Sequence, residues 1–313
     1  MAARAAGFFK RRCFGKKARY LPAKKVLEAQ RAEMAGKNFE NCQLSTISVL
    51  TPLYNTPEVF LRQFLDSFVN QTAPNGELCL ADASDAAHSS VGDIVREYQA
   101  KYQHIVYKKI ENKGIAANTN AAAELASGEY LALADHDDIL APHAMYTMGR
   151  AIRQLREAGE PDGFLYSDEA LFTKKIEKPL VAHFKPDYAP DYLLCCNYIC
   201  HLAVFRRELF EQVGGERPEC DGSQDHDLFL RLIEQVGGAA HVPQVLYYWR
   251  DRCQALRCQS GKEGAGRPSG AHRPYRHHRG WPVPQHLSGQ VGHCGGAEGE
   301  HPHPQQGPHR GSG

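Results

Sequence analysis

The sequence predicts an α/β protein with a mainly parallel central sheet covered by helices on both faces. Three observations carry this. From Thr46 onward, short apolar runs rich in β-branched residues alternate with stretches of helical apolar spacing, the pattern of repeated strand–helix–strand units. The runs suit buried strands in length, while the stretches between them are long enough for helices. Four runs also end in polar clusters: Pro52-Leu53-Tyr54-Asn55, Asp82-Ala83-Ser84, Glu111-Asn112-Lys113-Gly114 and Asp135-His136-Asp137-Asp138. Strand ends of this kind form the ligand crevice of an open α/β sheet.

Element by element, a basic helix is expected around Ala23–Ala35. It lies in a region, residues 1–45, that reads as a solvated linker or as a helix resting on an acidic membrane surface. Its thin apolar face favours the linker. ISVLTPL (47–53) is a buried strand, and Pro57 opens a helix on which Val59, Phe60, Phe64, Leu65 and Phe68 recur at helical spacing. ELCLAD (77–82) is the next strand, Val91–Tyr102 a helix and HIVYKKI (104–110) a third strand. An Ala/Asn helix follows from Ile115 to Ala126, then a strand from Glu129 to Ala134 running into DHDD. After a Met145–Leu155 helix, FLYSDE (164–169) and ICHLAVF (199–205) read as strands, Gln224–Gln235 as a helix and Val245–Trp249 as a closing strand.

Composition bounds the class. Of 313 residues, 42% are hydrophobic and 23% charged, which excludes a wholly disordered, collagen-like or membrane-embedded chain. Residues 1–40 hold 11 Lys/Arg against 3 Asp/Glu, whereas residues 41–250 hold 18 against 29, so the net charge of +1 hides a basic head on an acidic core. No run of about 18 apolar residues spans a bilayer, and the N-terminus has no apolar region of signal-peptide length. Ten cysteines without a framework rhythm fit a reduced, cytoplasmic setting. Cys195, Cys196 and Cys200 cluster, but lack a second ligand pair for zinc and read as small buried hydrophobes.

From Asp251 to Gly313 the chain carries 13 of its 28 glycines and 8 of its 16 histidines, but only four Leu, Ile, Val, Met or Phe residues. Such a segment cannot bury a core and reads as a disordered tail. An out-of-frame origin accounts for it. Read one base later from about Glu263, synonymous codons for Val283 to Pro308 permit YPSTYRVRWAIAGEPKVSILIPNKDH, which echoes ISVLTPLYN at 47–55 as a second copy of the module would. The other reading is a natural disordered tail, and the codons in the source DNA separate the two.

Chemistry concentrates at the strand ends. Asp135 and Asp137, two residues apart in a turn after an apolar strand, can both reach one hard cation, Mg²⁺ or Mn²⁺, completed by substrate phosphates. Asp82 can accept hydrogen bonds from a nucleobase or ribose, or close an Asx-type turn. Lys113-Gly114 precedes a helix whose N-terminus favours phosphate, or Lys113 is an exposed loop lysine. Asp225, in the first turn of the helix that GSQDHDL (222–228) begins, is either a surface carboxylate or a general base facing the crevice.

SVLTPLYN, NKGIAANTNAA (112–122), EYLALADHDD (129–138), YSDE, FKPDY (184–188), NYICHLAVFRRELF (197–210), GSQDHDL (222–228) and VLYYWR (245–250) occur in one order. Together they resemble family 2 glycosyltransferases of the GT-A fold, with most likeness to bacterial enzymes of O-antigen, rhamnan and other cell-surface polysaccharide synthesis. The resemblance covers about residues 46–250. It implies a GT-A-like three-layer sandwich and inverting transfer of a hexosyl or deoxyhexosyl group from a UDP-, dTDP- or GDP-linked donor. The acceptor would be a glycan or lipid-linked glycan, used in the cytoplasm with peripheral association at the inner face of the membrane. Tyr54, Asn55 and Asp82 match nucleoside-binding positions, and Lys113 and Asn118 the loop and helix near the nucleotide. Asp135 and Asp137 match the metal-binding motif, Asp225 the base, and Trp249 and Arg250 an aromatic–Arg pair closing the site. Ala83 stands where relatives often carry Asp.

Two rival readings come from other classes. A nucleotidyltransferase would want a similar sheet and acidic ligands, but also a Gly-rich basic loop after the first strand, where this chain has PLYNTPE. Alternatively, the altered tail leaves a catalytically impaired nucleotide-binding remnant. Nothing in the pattern suggests a nucleic-acid partner.

Overall fold

In this computed structural model, residues 21–251 are described; the expectations for the first twenty residues and for the tail past Asp251 lie outside them. A nine-stranded sheet runs in the order β3-β2-β1-β4-β8-β6-β9-β5, with β7 paired on β6. Its strands are β1 (Ile47–Leu53), β2 (Gly76–Asp82), β3 (Ile105–Lys109), β4 (Tyr130–Leu133), β5 (Ile139–Leu140), β6 (Phe164–Phe172), β7 (Val181–His183), β8 (Ala203–Arg206) and β9 (Ala240–Arg250). The helices longer than one turn are α1 (Lys24–Met34), α2 (Glu58–Val69), α3 (Ser90–Gln99), α4 (Ile115–Ala123), α5 (Ala144–Glu157), α6 (Pro190–Cys195), α7 (Arg207–Gln212) and α8 (Gln224–Val236).

The three layers follow from which side of each strand is apolar. On one face, Leu61, Phe64, Leu65 and Phe68 of α2, Val91, Ile94 and Val95 of α3, and Met145, Met148 and Ile152 of α5 pack against Ile47, Val49, Leu78 and Leu80. On the other, Ala122 of α4, Leu193 of α6, Phe210 of α7 and Leu228, Phe229 and Leu232 of α8 cover Leu50, Cys79, Leu131 and Leu133. Successive β1 residues thus enter opposite cores, as a strand buried on both sides requires. The expected three-layer α/β architecture is the one observed.

The parallel expectation describes β3-β2-β1-β4. Beyond β4 the pairing is mixed: β8 lies antiparallel between β4 and β6, β9 is parallel to β6, and β5 is antiparallel to β9. Residues 173–202 make a long excursion after β6, carrying β7 and α6, and deliver β8 to the sheet in the reverse direction. Because Leu53, Asp82 and Lys109 stand in register, the carboxyl ends of β1, β2 and β3 share one edge.

α1 is not a free linker. Met34 is buried with Cys42, Leu44, Ala73 and Tyr146, Tyr146 donates its hydroxyl hydrogen to Glu33, and Thr72 donates to Gln30 at 3.0 Å. The cysteine expectation also needs correction: Cys195 is exposed and Cys196 and Cys200 are half-buried, the neighbouring Leu193 and Ile199 filling the core instead. Among the described residues, no helix is long and apolar enough to cross a membrane.

Candidate active site

A crevice of about 150 Å³ opens between the carboxyl ends of β1 and β4, the start of α4 and the start of α8. Leu50, Pro52, Leu133 and Ala134 form its apolar walls, and Asp135, His201, Glu216, Gln224 and Asp225 supply its polar groups. Asp135 and Asp225, separated by ninety positions in sequence, therefore face the same space.

The acidic turn is held by the end of β9. The Asp135 N–H donates to the Tyr247 hydroxyl at 2.9 Å, and that hydroxyl donates to Asp138 Oδ2 at 2.7 Å. Arg250 donates its backbone N–H to Asp138 Oδ1 at 2.8 Å and its Nε–H to the Asp137 carbonyl at 2.5 Å. Burial, then the neighbouring Asp135 and Asp137 charges, push the Asp138 carboxyl well above its ordinary range despite those two hydrogen bonds. Asp138 is thus a structural acid, while Asp135 turns an accessible carboxylate to the crevice with His201 Nε2 at 3.7 Å. Asp137 is buried in the same turn.

The alternation of β9 separates the two residues expected to close the site. Trp249 is 41% exposed and Arg250 5%. The Arg250 guanidinium lies between the rings of Phe60 (4.4 Å) and Phe172 (4.6 Å) and donates to Gln63 at 2.8 Å. It clamps the acidic turn from behind.

At the carboxyl end of β2, Asp82 is buried and already engaged. Its Oδ1 accepts the Ser84 N–H at 2.9 Å, and its Oδ2 accepts the Tyr107 hydroxyl at 2.8 Å and Lys109 Nζ at 3.0 Å. Burial works against its charge, but these hydrogen bonds outweigh it and hold the carboxyl below its usual range. Asn55, at φ +50, trades hydrogen bonds with Asp85: its amide donates to Asp85 Oδ2 at 2.9 Å and its Oδ1 accepts the Asp85 N–H at 3.0 Å. Asp85 is the accessible carboxylate at this edge. Tyr54 beside it is exposed.

The loop before α4 differs from the expectation of an open phosphate cradle. Asp221 Oδ1 accepts the Ala116 N–H at 3.0 Å, so a side-chain carboxylate sits on the helix N-terminus, where the dipole favours it. Gly114 allows this: its φ is +95, and a Cβ there would meet Asp221 Oδ2 at 2.2 Å. Asn118 is buried and shapes the loop, donating to Asn112 at 3.0 Å and accepting the Lys113 N–H at 3.2 Å. The Lys113 ammonium is exposed, 3.9 Å from Glu111.

Asp225 lies in the first turn of α8. Its Oδ2 accepts the Asn197 amide at 2.8 Å and its Oδ1 the His226 N–H at 2.8 Å, which fixes the carboxylate at the crevice mouth. Asn197, His201 and Glu216 were not found as site residues from the sequence. Asn197 and Glu216 lie in irregular segments with no periodicity, and His201, expected within a strand from Ile199, precedes β8, which begins only at Ala203.

Among the described residues, no group of three or more His, Cys, Asp or Glu side chains forms a ready-made metal cage. The crevice nevertheless suits a hard cation held mainly by its substrate. Burial first, then the Asp225, Asp221 and Asp135 charges, pushes Glu216 up to about 9; one or two carboxylates plus phosphate oxygens is how Mg²⁺ and Mn²⁺ are commonly bound.

The profile of the family described as "Glycosyl transferase family 2" matches residues 48–214. An uncharacterized protein, y4gI, of Sinorhizobium fredii is 38% identical over 208 residues, 65% of this chain and 22% of its own length. The O-antigen biosynthesis protein RfbC of Myxococcus xanthus is 34% identical over 222 residues, 70% of this chain and 16% of its own. The chain thus spans about a fifth of these relatives. Among solved structures, residues 1–349 of S. aureus TarS superpose with a TM-score of 0.53 at 19% identity, covering 68% of this chain and 64% of that one. At that identity the likeness concerns the fold alone.

Proposed function

The chain belongs to glycosyl transferase family 2, and from that premise we propose that residues 46–250 form a domain that transfers a sugar from a nucleotide-sugar to a glycan acceptor in cell-surface polysaccharide synthesis. The reaction is a single displacement that inverts the anomeric centre. One observation carries the reading: Asp135 and Asp225 line the same crevice at the carboxyl ends of β1 and β4. A displacement needs the leaving diphosphate at one end of the reacting sugar and a proton acceptor at the other, and this pair offers both.

Asp225 takes the proton of the attacking hydroxyl, a contribution of roughly 10²–10⁴-fold for a general base. The Asn197 amide, bonded to Asp225 Oδ2, keeps the carboxylate turned to the crevice. Asp135 and Asp137 would hold Mg²⁺ or Mn²⁺, which when bound would supply charge relief to the diphosphate. Tyr54, Asn55 and the Asp82 strand end receive the nucleoside, with Asp85 the accessible carboxylate at that edge. Lys113 adds a positive charge near the phosphates, Asn118 holds its loop, and Trp249 borders the exposed rim. TarS has been solved with UDP and with UDP-GlcNAc, which makes a uridine nucleotide the first donor to test here, ahead of dTDP- and GDP-linked sugars.

Calorimetric titration with UDP, dTDP and GDP, with and without Mn²⁺, followed by donor hydrolysis and transfer assays, tests the proposal. Binding of none of the three diphosphates in the presence of Mn²⁺ would sink it. The impaired-remnant reading predicts diphosphate binding without turnover that returns when the frame past Asp251 is restored.

A further inference from the structure

Glu216 is the most deeply buried acid of the crevice, 2% exposed, and neither the metal nor the base role uses it. Its backbone is fastened to α4: the Glu216 N–H donates to Asn120 Oδ1 at 2.9 Å, and the Asn120 amide returns a hydrogen bond to the Glu216 carbonyl at 2.7 Å. Gly215 before it has φ +72, and a Cβ there would meet Asn120 Oδ1 at 2.6 Å. The position is therefore built, with little freedom for the side chain to swing out. Thr119 is within hydrogen-bonding reach of the carboxyl, yet Thr119 donates its own proton to the Ile115 carbonyl at 2.9 Å, and Glu216 Oε2 has no hydrogen-bond partner.

An unpartnered polar atom under apolar walls costs stability. A leucine would occupy much of the same volume with no atom left unpaired. Nothing in the packing calls for a carboxyl here, and the crevice that Glu216 lines is also lined by Asp135 and Asp225. In the glycosyl transfer argued above, on which this inference rests, the sugar must lie between the diphosphate at Asp135 and the acceptor at Asp225. We propose that Glu216 is a sugar-recognition residue, its carboxyl hydrogen-bonding a hydroxyl group of the transferred sugar. In the metal-free chain, burial and then the surrounding carboxylates push this carboxyl upward; a protonated carboxyl can donate as well as accept, and an ionised one still accepts from a sugar hydroxyl.

The test is calorimetric, on the full chain with Mn²⁺. Wild type, E216Q and E216L are titrated with UDP, dTDP and GDP, and with UDP-glucose, UDP-N-acetylglucosamine, dTDP-rhamnose and GDP-mannose. For the nucleotide-sugar that wild type binds, E216L should weaken affinity roughly 3- to 10-fold, the worth of about one hydrogen bond, while the parent diphosphate binds as before. E216Q, which keeps a donor and an acceptor, should recover most of the loss. The unliganded E216L chain should unfold at the same temperature as wild type or higher, because the unpaired oxygen is gone. An equal loss for diphosphate and nucleotide-sugar, or no loss for either, overturns the assignment while leaving the glycosyltransfer reading standing. Failure of wild type to bind any diphosphate overturns both.

Discussion

The Tyr247 hydroxyl bridges the acidic turn, donating to Asp138 Oδ2 at 2.7 Å and accepting the Asp135 N–H at 2.9 Å. One phenol thereby fixes the backbone of the proposed metal ligand and satisfies a buried acid beside it. Tyr247→Phe removes both bonds and leaves Asp138 with only the Arg250 N–H. The expected loss is about 1–3 kcal/mol of stability, the usual cost of stranding a buried polar group. It should come with weaker Mn²⁺-dependent nucleotide binding. Urea denaturation and Mn²⁺ titration check the two effects, and unchanged stability would show that the bridge is dispensable.

Asp137→Ala should abolish the Mn²⁺ dependence of diphosphate binding, and Asp135→Ala should do the same. The motivating observation is a turn in which Asp135 faces the crevice and Asp137 is its next acidic neighbour. Calorimetry with and without Mn²⁺ reads the result; full Mn²⁺-dependent affinity in both variants refutes the metal assignment.

The strands and most helices were legible because their patterns are local. ISVLTPL forms β1 over the expected residues, and the apolar spacing after Pro57 becomes α2. The acidic turn was legible because it follows a strand directly. Contacts between distant segments were not. Asp221 reaches the Ala116 N–H across 105 residues and fills a helix N-terminus that looked open to phosphate. Glu216 follows two glycines of positive φ, and such a turn has no periodicity to read. Trp249 and Arg250 are different: adjacent residues of a strand point to opposite faces, so their separation into surface and core was implicit in the pattern.

Asp225→Asn should bind donor nearly normally and lose transfer by about 10²-fold or more, since only the proton acceptor is removed. Asn197→Ala should give a smaller loss in turnover with little change in donor affinity, because the carboxylate survives but its orienting amide does not. Steady-state kinetics separate these outcomes. Weakened donor binding with unchanged turnover in Asp225→Asn would make that carboxylate structural.

Glu216 should also leave a mark on stability without any ligand. Burial, followed by the Asp225, Asp221 and Asp135 charges, raises its carboxyl to about 9 in the folded chain from an ordinary 4.5. Between those values the native state holds a proton that the unfolded chain has released, so this group's contribution, full below about pH 4.5, falls as pH rises through about 9. Its limiting slope is about 1.4 kcal/mol per pH unit. Glutamine cannot ionise, so Glu216→Gln should match wild type near pH 5 and become progressively more stable than wild type toward pH 9. Denaturation at pH 5, 7 and 9 in the presence of a chelator, which keeps divalent ions off Asp135, measures that difference directly. Parallel pH profiles for the two proteins would mean that the buried carboxyl ionises normally.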